Sequence, residues 1–223
     1  LAAYNAKKWD KAEEYFQKTM DMGYGGETVW RLQKEVFLAR GDSAAAEQLL
    51  IDGIEEFEDD NMIMVELINY YLTSNQDKKA FEYLEMAKEE DPSNKSYWYV
   101  EGILYDKMGK TEEAKASYDK AIELDAEYFD PYYNMGVIMF NEGVRLQDSA
   151  NAIMDNKEYE VAKAKSDSAF EAAIPYFEKA HEINPEDRAV LENLKVLYYR
   201  LQMMDKREEV MKKLDALDQG GEQ

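Results

Sequence analysis

The sequence predicts an all-α fold in which similar pairs of helices stack one after another. Three observations predict it: a 34-residue internal repeat, apolar residues that recur three and four apart within each repeat, and a composition that favours helices. Only 4 of the 223 residues are Pro, β-branched residues are sparse, and Ala, Glu, Lys, Leu, Met and Gln dominate. An apolar fraction of 45% suffices for a thin core shared between neighbouring pairs.

Columns of apolar residues keep the 34-residue period without slippage. Two columns hold small residues: Ala12, Ala46, Ala80 and Ala114, and Gly53, Ala87 and Ala121. Three columns hold large residues: Phe16, Leu50, Leu84 and Tyr118; Trp30, Met64, Trp98 and Tyr132; and Phe37, Tyr71, Tyr105 and Met139. Small residues let two helices approach closely, and large ones fill the remaining space. We therefore interpret the recurring aromatic residues as core.

Turn residues divide each repeat into two helices. Arg40-Gly41-Asp42 and Met108-Gly109-Lys110 lie within units, whereas Asp91-Pro92-Ser93 and Asn184-Pro185-Glu186 lie between units. The chain is therefore expected to form one repeat domain, residues 1–223. Its units are, in order, a partial one at 1–26, full ones at 27–60, 61–94 and 95–128, a longer one at 129–187 and a C-terminal cap at 188–221.

The family resemblance is clearest in residues 95–128, KSYWYVEGILYDKMGKTEEAKASYDKAIELDAEY. After an aromatic residue, this stretch contains Gly102, Tyr105, Ala114, Tyr118 and Ala121 at the spacing of the tetratricopeptide repeat (TPR), and it resembles that family. The resemblance extends over nearly the whole chain. It implies a right-handed superhelix of about five and a half helix-turn-helix units. Proteins of this kind with a long insertion are often bacterial, so the resemblance also implies a bacterial protein.

A 25-residue insertion interrupts the fifth unit. The column that ends at Ala114 continues at Ala173 only if 25 residues are removed, and Phe177 and Ala180 follow in step. One apolar stripe runs through Tyr132, Met135, Gly136, Met139, Gly143, Leu146, Ala150 and Ile153. A second stripe runs through Tyr159, Ala162, Ser166, Phe170 and Ala173 into Phe177. Two continuous stripes of helical spacing predict two long antiparallel helices.

The turn of this hairpin is predicted at Asp155-Asn156-Lys157. Each arm would be about 12 residues longer than its counterparts and would project about 18 Å at 1.5 Å per residue. Pro175 should kink the returning arm, because proline lacks an amide donor. In the last unit, Arg207 replaces the small residue that would receive another helix, with Val210, Met211, Leu214 and Leu217 on one face. Residues 218–223 are expected to be disordered.

The chain is strongly acidic, with 27 Lys and Arg against 48 Asp and Glu and a formal charge of −21. Such a surface disfavours nucleic acid and anionic membranes, and it forms either a solvated face or a surface for a basic partner. No apolar run is long enough for membrane insertion. No signal peptide is visible, but a targeting segment upstream of Leu1 could be missing. The compartment, cytoplasmic or periplasmic, therefore stays open.

The sequence offers no recognisable catalytic or cofactor site. Cys is absent, which excludes disulfides and thiolate chemistry. The single histidine, His181, lies near a predicted helix end, where its cation would interact favourably with the helix dipole. GYGG at 23–26 is interpreted as a helix stop, and EEFEDD at 55–60 lacks the ligand spacing of a calcium loop. We expect no enzymatic activity, no cofactor and no metal.

By resemblance to the family, a peptide-binding groove is lined by the first helix of each unit. Its positions here are Arg31, Glu35, Val65, Asn69, Tyr99, Ile103, Tyr133, Val137, Phe140, Val196 and Tyr199. TPR domains that grip acidic chaperone tails use Lys, Arg and Asn on this face, where this chain has Glu35, Glu66, Ile103 and Val137. The groove therefore favours a peptide with aromatic or aliphatic anchors. Alternatively, some of these residues pack against neighbouring helices.

These observations favour a non-enzymatic scaffold that holds a peptide segment of a protein partner in its groove. A second hypothesis is an assembly protein that forms homo-oligomers through the hairpin at residues 144–168. A third is an accessory domain of a larger enzyme. The sequence identifies neither the partner nor the cellular process.

Overall fold

The computed structural model describes residues 1–57 and 61–220, and these residues form helices joined by short turns, without a strand. The prediction of an all-α fold is confirmed. The chain divides into two compact units, Leu1–Leu104 and Tyr105–Gln223. Among the described helices, none combines the length and the apolar character needed to span a membrane.

The first unit is built from successive antiparallel helices packed side by side. In order, they are α1 (Ala2–Asn5), α2 (Trp9–Asp21), α3 (Gly26–Ala39), α4 (Ser43–Glu56), α5 (Asn61–Thr73), α6 (Asp77–Glu90) and α7 (Lys95–Lys107), whose last turn enters the second unit. Ala46, Leu50, Ala80 and Leu84 are completely buried in its core. The columns of Ala46 and Leu50 therefore form the core, whereas Trp30 and Phe37, from two other columns, are partly buried and pack against it.

The second unit contains much longer helices. In order, they are α8 (Thr111–Leu124), α9 (Phe129–Asn151), α10 (Asn156–Ile183), α11 (Arg188–Arg200) and α12 (Met204–Gly220). Helices α9 and α10 have 23 and 28 residues, whereas α8 has 14 and α11 has 13. The predicted elongated helical hairpin is confirmed.

Five turns that join the two helices of a pair each contain one residue with a left-handed backbone conformation. Lys7, Gly41, Asn75 and Gly109, which are 34 residues apart, have φ of 53°, 78°, 58° and 71°. Gln202, between α11 and α12, has φ of 59°. In each turn, the next amide donates to a carbonyl five residues earlier, as in Lys110 N to Tyr105 O at 2.9 Å. This Schellman-type closure recurs with the sequence period and explains why glycine occupies two of the five positions.

The hairpin turn lies earlier than predicted. Helix α9 ends at Asn151 and α10 begins at Asn156, so the connection comprises residues 152–155. The Asp155 carboxylate accepts hydrogen bonds from the amides of Lys157 and Glu158 at 2.9 and 3.0 Å. Asp155 is thus the N-cap of α10, and capping draws the next two residues into the helix. The placement of the turn at 155–157, and of Ile153 within the first helix, was wrong.

Two glycines allow the arms of the hairpin to pack closely. A Cβ at Gly136 would lie 2.9 Å from the ring of Phe177, and a Cβ at Gly143 would lie 2.6 Å from the ring of Phe170. Next to this contact, the buried Ser166 hydroxyl donates to the carbonyl of Gly143 at 2.8 Å. Each glycine of α9 therefore makes room for a phenylalanine of α10. The two glycines are seven residues apart along α9, and the two phenylalanines are seven residues apart along α10.

Several sequence predictions are wrong in part, lie outside the described residues or stay untested. Helix α12 continues through Gly220, so the expectation of disorder was wrong for residues 218–220, while 221–223 lie outside the described residues. The boundary expected near residue 60 and the acidic residues at 58–60 also lie outside them. Pro175 lies inside α10, which continues on both sides of it. The kink at Pro175 and the division into repeat units stay predictions.

Candidate interaction surface

The eleven predicted groove residues all lie on the first helix of a helix pair. Within the first unit, α3 carries Arg31 and Glu35, α5 carries Val65 and Asn69, and α7 carries Tyr99 and Ile103. Within the second unit, α9 carries Tyr133, Val137 and Phe140, and α11 carries Val196 and Tyr199. The two groups differ in chemistry.

A buried lysine organises the charged residues of the first group. Lys34 Nζ lies 2.5 Å from a carboxylate oxygen of Glu66 on α5 and 3.1 Å from one of Glu35. Burial alone would lower the pKa of Lys34, but the two carboxylates outweigh it and raise the pKa above its usual value. Glu35 and Glu66 are therefore engaged by a cation of the chain itself, whereas Arg31 is exposed.

The remaining residues of the first group are half-buried. Val65 and Tyr99 pack against the core formed by α4 to α7, and Asn69 and Ile103 expose an intermediate part of their surface. Val65 and Tyr99 therefore contribute to packing as well as to the surface. This agrees with the alternative that some predicted groove residues contact neighbouring helices.

On α9, the predicted groove residues also pack within the hairpin. The Tyr133 ring meets Phe177 edge-on, with centroids 5.9 Å apart, and stacks on Phe129 at 6.1 Å. The Phe140 ring meets Phe170 edge-on at 5.5 Å. Val137 is partly buried against the same core. Substituting Tyr133 or Phe140 would therefore perturb the hairpin together with any binding surface.

On α11, by contrast, the predicted groove residues are exposed. The surface of Val196 is 41% exposed and that of Tyr199 is 59% exposed. The Arg207 guanidinium lies 5.0 Å from the centroid of the Tyr199 ring and covers one part of it. Arg207 was predicted to end the repeat, but its contact with Tyr199 was not predicted. The repeat pattern could not predict this contact, because the preceding repeats have Ala at the position of Arg207.

His181 lies in the last turn of α10, as expected, and a lysine of α12 lies beside its ring. Lys213 Nζ lies 2.5 Å from His181 Nε2. Burial, and then the charge of Lys213, lower the pKa of His181 below 6.5. The helix-terminal position is as predicted, whereas burial and the neighbouring lysine of α12 disfavour the charged form of the ring.

Metal ligands do not cluster in the part of the chain that the structure describes. Within these residues, no group of three or more His, Asp or Glu side chains has an arrangement that could hold a metal ion. The functional groups that the helices do bring together are aromatic rings, carboxylates and aliphatic side chains. Such groups can bind peptides and cations.

A fold of repeated helix pairs, with large side chains exposed at recurring positions, defines a helical-repeat protein. The TPR repeat family model matches residues 102–143, which comprise the end of α7, α8 and most of α9. This match and the repeated helix pairs support a tetratricopeptide repeat protein. This family consists of scaffold and assembly proteins that bind other proteins and are generally not enzymes.

Known proteins resemble the chain in sequence and in fold. Photosystem I assembly protein Ycf3 from Acaryochloris marina is 29% identical over 109 residues, which cover 48% of this chain and 59% of that protein. The crystal structure of MamA superposes with a TM-score of 0.59 at 17% identity, covering 84% of this chain and 95% of MamA. The human IFIT1 dimer with m7Gppp-AAAA gives 0.63 at 17% identity, covering 93% and 46%. At these identities, the two structures establish the fold alone.

Proposed function

We propose that this protein is a non-enzymatic scaffold that binds an apolar peptide segment of a partner along the first helices of its repeats. The anchors on the partner would be aromatic or aliphatic side chains. In the first unit they would meet Val65, Tyr99 and Ile103, and in the second unit Val137 and Phe140. Val196 and Tyr199 would form the most accessible part of the surface.

The exposure of Val196 and Tyr199 is the observation that carries this proposal. Burying an aliphatic or aromatic side chain on binding stabilises a complex by about 1.5–3 kcal/mol. Val196 and Tyr199 lie one helical turn apart, so a single extended or helical segment can contact both. The proposal also agrees with the family, whose members act on protein partners.

The test begins with a pull-down from native extract, followed by affinity measurement with the purified partner. The double variant Val196→Ser/Tyr199→Ser removes exposed apolar surface, so it should fold normally. It should weaken binding by about 10-fold or more, since each 1.4 kcal/mol corresponds to a factor of ten. The helical content, followed by circular dichroism, should not change.

The matched control is Val161→Ser/Tyr15→Ser. These side chains are 61% and 55% exposed and lie outside the predicted groove. This variant removes the same chemical groups and should bind the partner with unchanged affinity. Equal effects of the two double variants would contradict the groove assignment.

The second candidate function is self-association through the hairpin, and exposed apolar residues near its tip favour it. Met154, in the connection between the arms, is 99% exposed, and Val161 on the returning arm is 61% exposed. A second copy could cover both side chains. The arms behind them are fixed by the contacts of Gly143 with Phe170 and Ser166.

Sedimentation velocity distinguishes this candidate from a monomeric scaffold. If self-association dominates, the wild-type protein sediments as a dimer or larger species, and Met154→Ser/Val161→Ser shifts it to the monomer. Replacing residues 144–168 by the Met-Gly-Lys turn of residues 108–110 should have the same effect. A wild-type monomer at about 100 μM would exclude self-association with a dissociation constant below that concentration.

A further inference from the structure

A cavity of about 320 Å³ in the first unit combines aromatic walls with carboxylates. The aromatic lining consists of Tyr24, Trp30 and Phe57, and the acidic lining consists of Asp21, Asp52 and Glu56. None of the predicted groove residues lines it. The cavity lies between the turn that joins α2 to α3 and the C-terminal end of α4.

The local sequence explains how this cavity forms. Gly53 on α4 lacks a side chain, and a Cβ there would lie 3.0 Å from Trp30 Cε3. The indole therefore lies directly on α4 and meets Phe57 edge-on, with ring centroids 5.7 Å apart. Gly23 and Gly25, with φ of 70° and 93°, make the tight turn that carries Tyr24. Tyr24 is 65% exposed and is thus accessible to a ligand.

The carboxylates of the cavity are not neutralised by a cation in its lining. No Lys, Arg or His is among the lining residues that the structure describes. The Asp21 carboxylate accepts a hydrogen bond from the neutral side-chain amide of Gln17 at 2.9 Å. The Asp52 carboxylate accepts one from that of Gln48 at 2.7 Å. The lining therefore carries three formal negative charges beside aromatic rings.

We propose that this cavity binds a cationic side chain, arginine or lysine, of a protein partner. A guanidinium or ammonium group is attracted to the faces of Trp, Tyr and Phe rings and also pairs with carboxylates. A neutral or anionic group would desolvate the three carboxylates without compensation. The volume is at the lower end for ligand sites, which fits one side chain rather than a larger molecule. This site gives the excess of acidic residues a specific role, separate from the apolar groove.

The test is a titration of the full chain followed by NMR at the indole Nε1–H of Trp30, assigned with Trp30→Phe. The probes are the N-acetyl, N-methylamide derivatives of arginine, lysine and citrulline. Citrulline has the shape of arginine without its charge. Arginine or lysine should give a saturable shift with a dissociation constant of about 1–10 mM, as for weak fragments. Citrulline should give less than about a third of that shift at equal concentration.

Two neighbouring glutamates provide the matched pair of variants. Glu56 lines the cavity, whereas Glu55, beside it on α4, does not. Both are exposed, so both variants should fold. Glu56→Gln should weaken binding of the cationic probe about 3-fold, as expected for loss of a solvent-accessible ion pair. Glu55→Gln causes the same change in net charge and should have less than half of that effect.

A second variant tests the aromatic wall. Tyr24→Ala should weaken the same probe about 3-fold, because an exposed cation–π contact has similar strength. Equal shifts for arginine and citrulline, equal effects of Glu55→Gln and Glu56→Gln, or no saturable shift up to about 50 mM would each overturn the proposal. The groove proposal does not depend on this result, because its test uses different residues.

Discussion

Neighbouring helices are held together by different contacts in the first unit and in the long hairpin of the second unit. In the first unit, lysines with little exposed surface join neighbouring helices: Lys34 of α3 pairs with Glu66 of α5, and Lys88 of α6 pairs with Glu101 of α7, each at 2.5 Å. In the hairpin, glycines of α9 accommodate phenylalanines of α10. Helices of ordinary length are thus joined by ion pairs, and the longest helices by close apolar contact.

The two kinds of contact contribute differently to the fold. A buried ion pair adds little net stability, because desolvation offsets the Coulomb attraction, but loss of one partner is costly. We infer that the pairs of the first unit help to select the correct neighbour among similar helices. Glycine–phenylalanine packing excludes water along two long helices and keeps them close together. It therefore suits a hairpin that few other elements support.

The largest effect is expected for Lys88→Met in the first unit. The Lys88 side chain is 15% exposed and that of Glu101 is 7% exposed, and Lys88 Nζ also lies 4.0 Å from the Trp98 ring centroid. Removing the ammonium leaves the buried carboxylate without this partner, and we expect a loss of about 2–3 kcal/mol. Urea unfolding followed by Trp fluorescence measures it, because all three Trp residues lie within residues 1–104.

Two further variants control this result. Lys18→Met breaks the exposed pair with Glu14 and should change stability little. The double variant Lys88→Met/Glu101→Met should recover much of the loss, because it also removes the buried carboxylate. A loss from Lys88→Met no larger than that from Lys18→Met would show that the buried pair has no special role.

The next effect concerns Gly143→Ala in the hairpin. In an ordinary helix, glycine to alanine stabilises by about 1 kcal/mol. Here the new Cβ would lie 2.6 Å from Phe170 Cδ1, so we expect a loss of about 2 kcal/mol from overpacking. In the first unit, Gly53→Ala should cost less, because its Cβ would lie 3.0 Å from the Trp30 ring. Thermal unfolding followed by circular dichroism measures both variants.

A compensating substitution tests the cause of this loss. In the Gly143→Ala background, Phe170→Leu shortens the opposing side chain and should cost less than it does in the wild-type protein. Additive losses would indicate that the glycine is needed for a reason other than the Phe170 ring. Stabilisation by Gly143→Ala alone would contradict the close packing of the arms.

Periodicity predicted the fold because every repeat buries the same positions. Ala80, Ala114 and Ala173 are completely buried, and the last of these was placed correctly across a 25-residue insertion. The apolar stripes likewise predicted the hairpin. The turn was misplaced because capping depends on a single side chain: Asp155 is compatible both with a turn and with an N-cap, and only the hydrogen bonds to Lys157 and Glu158 decide.

The interaction surface was harder to predict than the fold. The family resemblance placed the candidate residues on the first helix of each pair, but it could not separate exposed from packed side chains. Tyr133 and Tyr199 both belong to the predicted groove, yet one packs on Phe177 and the other is 59% exposed. The acidic cavity carried no sequence signal, because Trp30 belongs to a core column and Tyr24 to a turn. Such a site depends on contacts between separate helices.

A smaller effect, of opposite sign, is expected at the shared left-handed turn position. Gln202 has φ of 59°, which costs a non-glycine residue about 1–2 kcal/mol, partly offset by the greater chain entropy of unfolded glycine. Gln202→Gly should therefore stabilise the protein by about 0.5–1 kcal/mol. Gly109→Ala, at φ of 71°, should destabilise it by about 1 kcal/mol. Gln202→Ala is the control, and stabilisation equal to that of Gln202→Gly would contradict the explanation from φ.

The smallest effect expected is a pH dependence of stability near neutral pH that comes from His181, the only histidine, in the second unit. Its folded-state pKa lies below 6.5, so the unfolded chain binds the proton first as the pH falls. Stability should therefore decrease as the pH falls through about 6.5 and level off below the folded-state pKa. Asp119 and Asp130 act in the opposite sense, because burial raises their pKa values and protonation favours the folded state.

His181→Gln isolates the contribution of the histidine. An amide oxygen can still accept from Lys213, but it does not titrate, so the slope of unfolding free energy between pH 7.5 and 6 should flatten. Urea unfolding at four pH values, followed by circular dichroism, measures this slope. An unchanged slope would mean that Lys213 moves away from the protonated ring at no cost. The contact between α10 and α12 would then be looser than the buried ion pairs of the first unit.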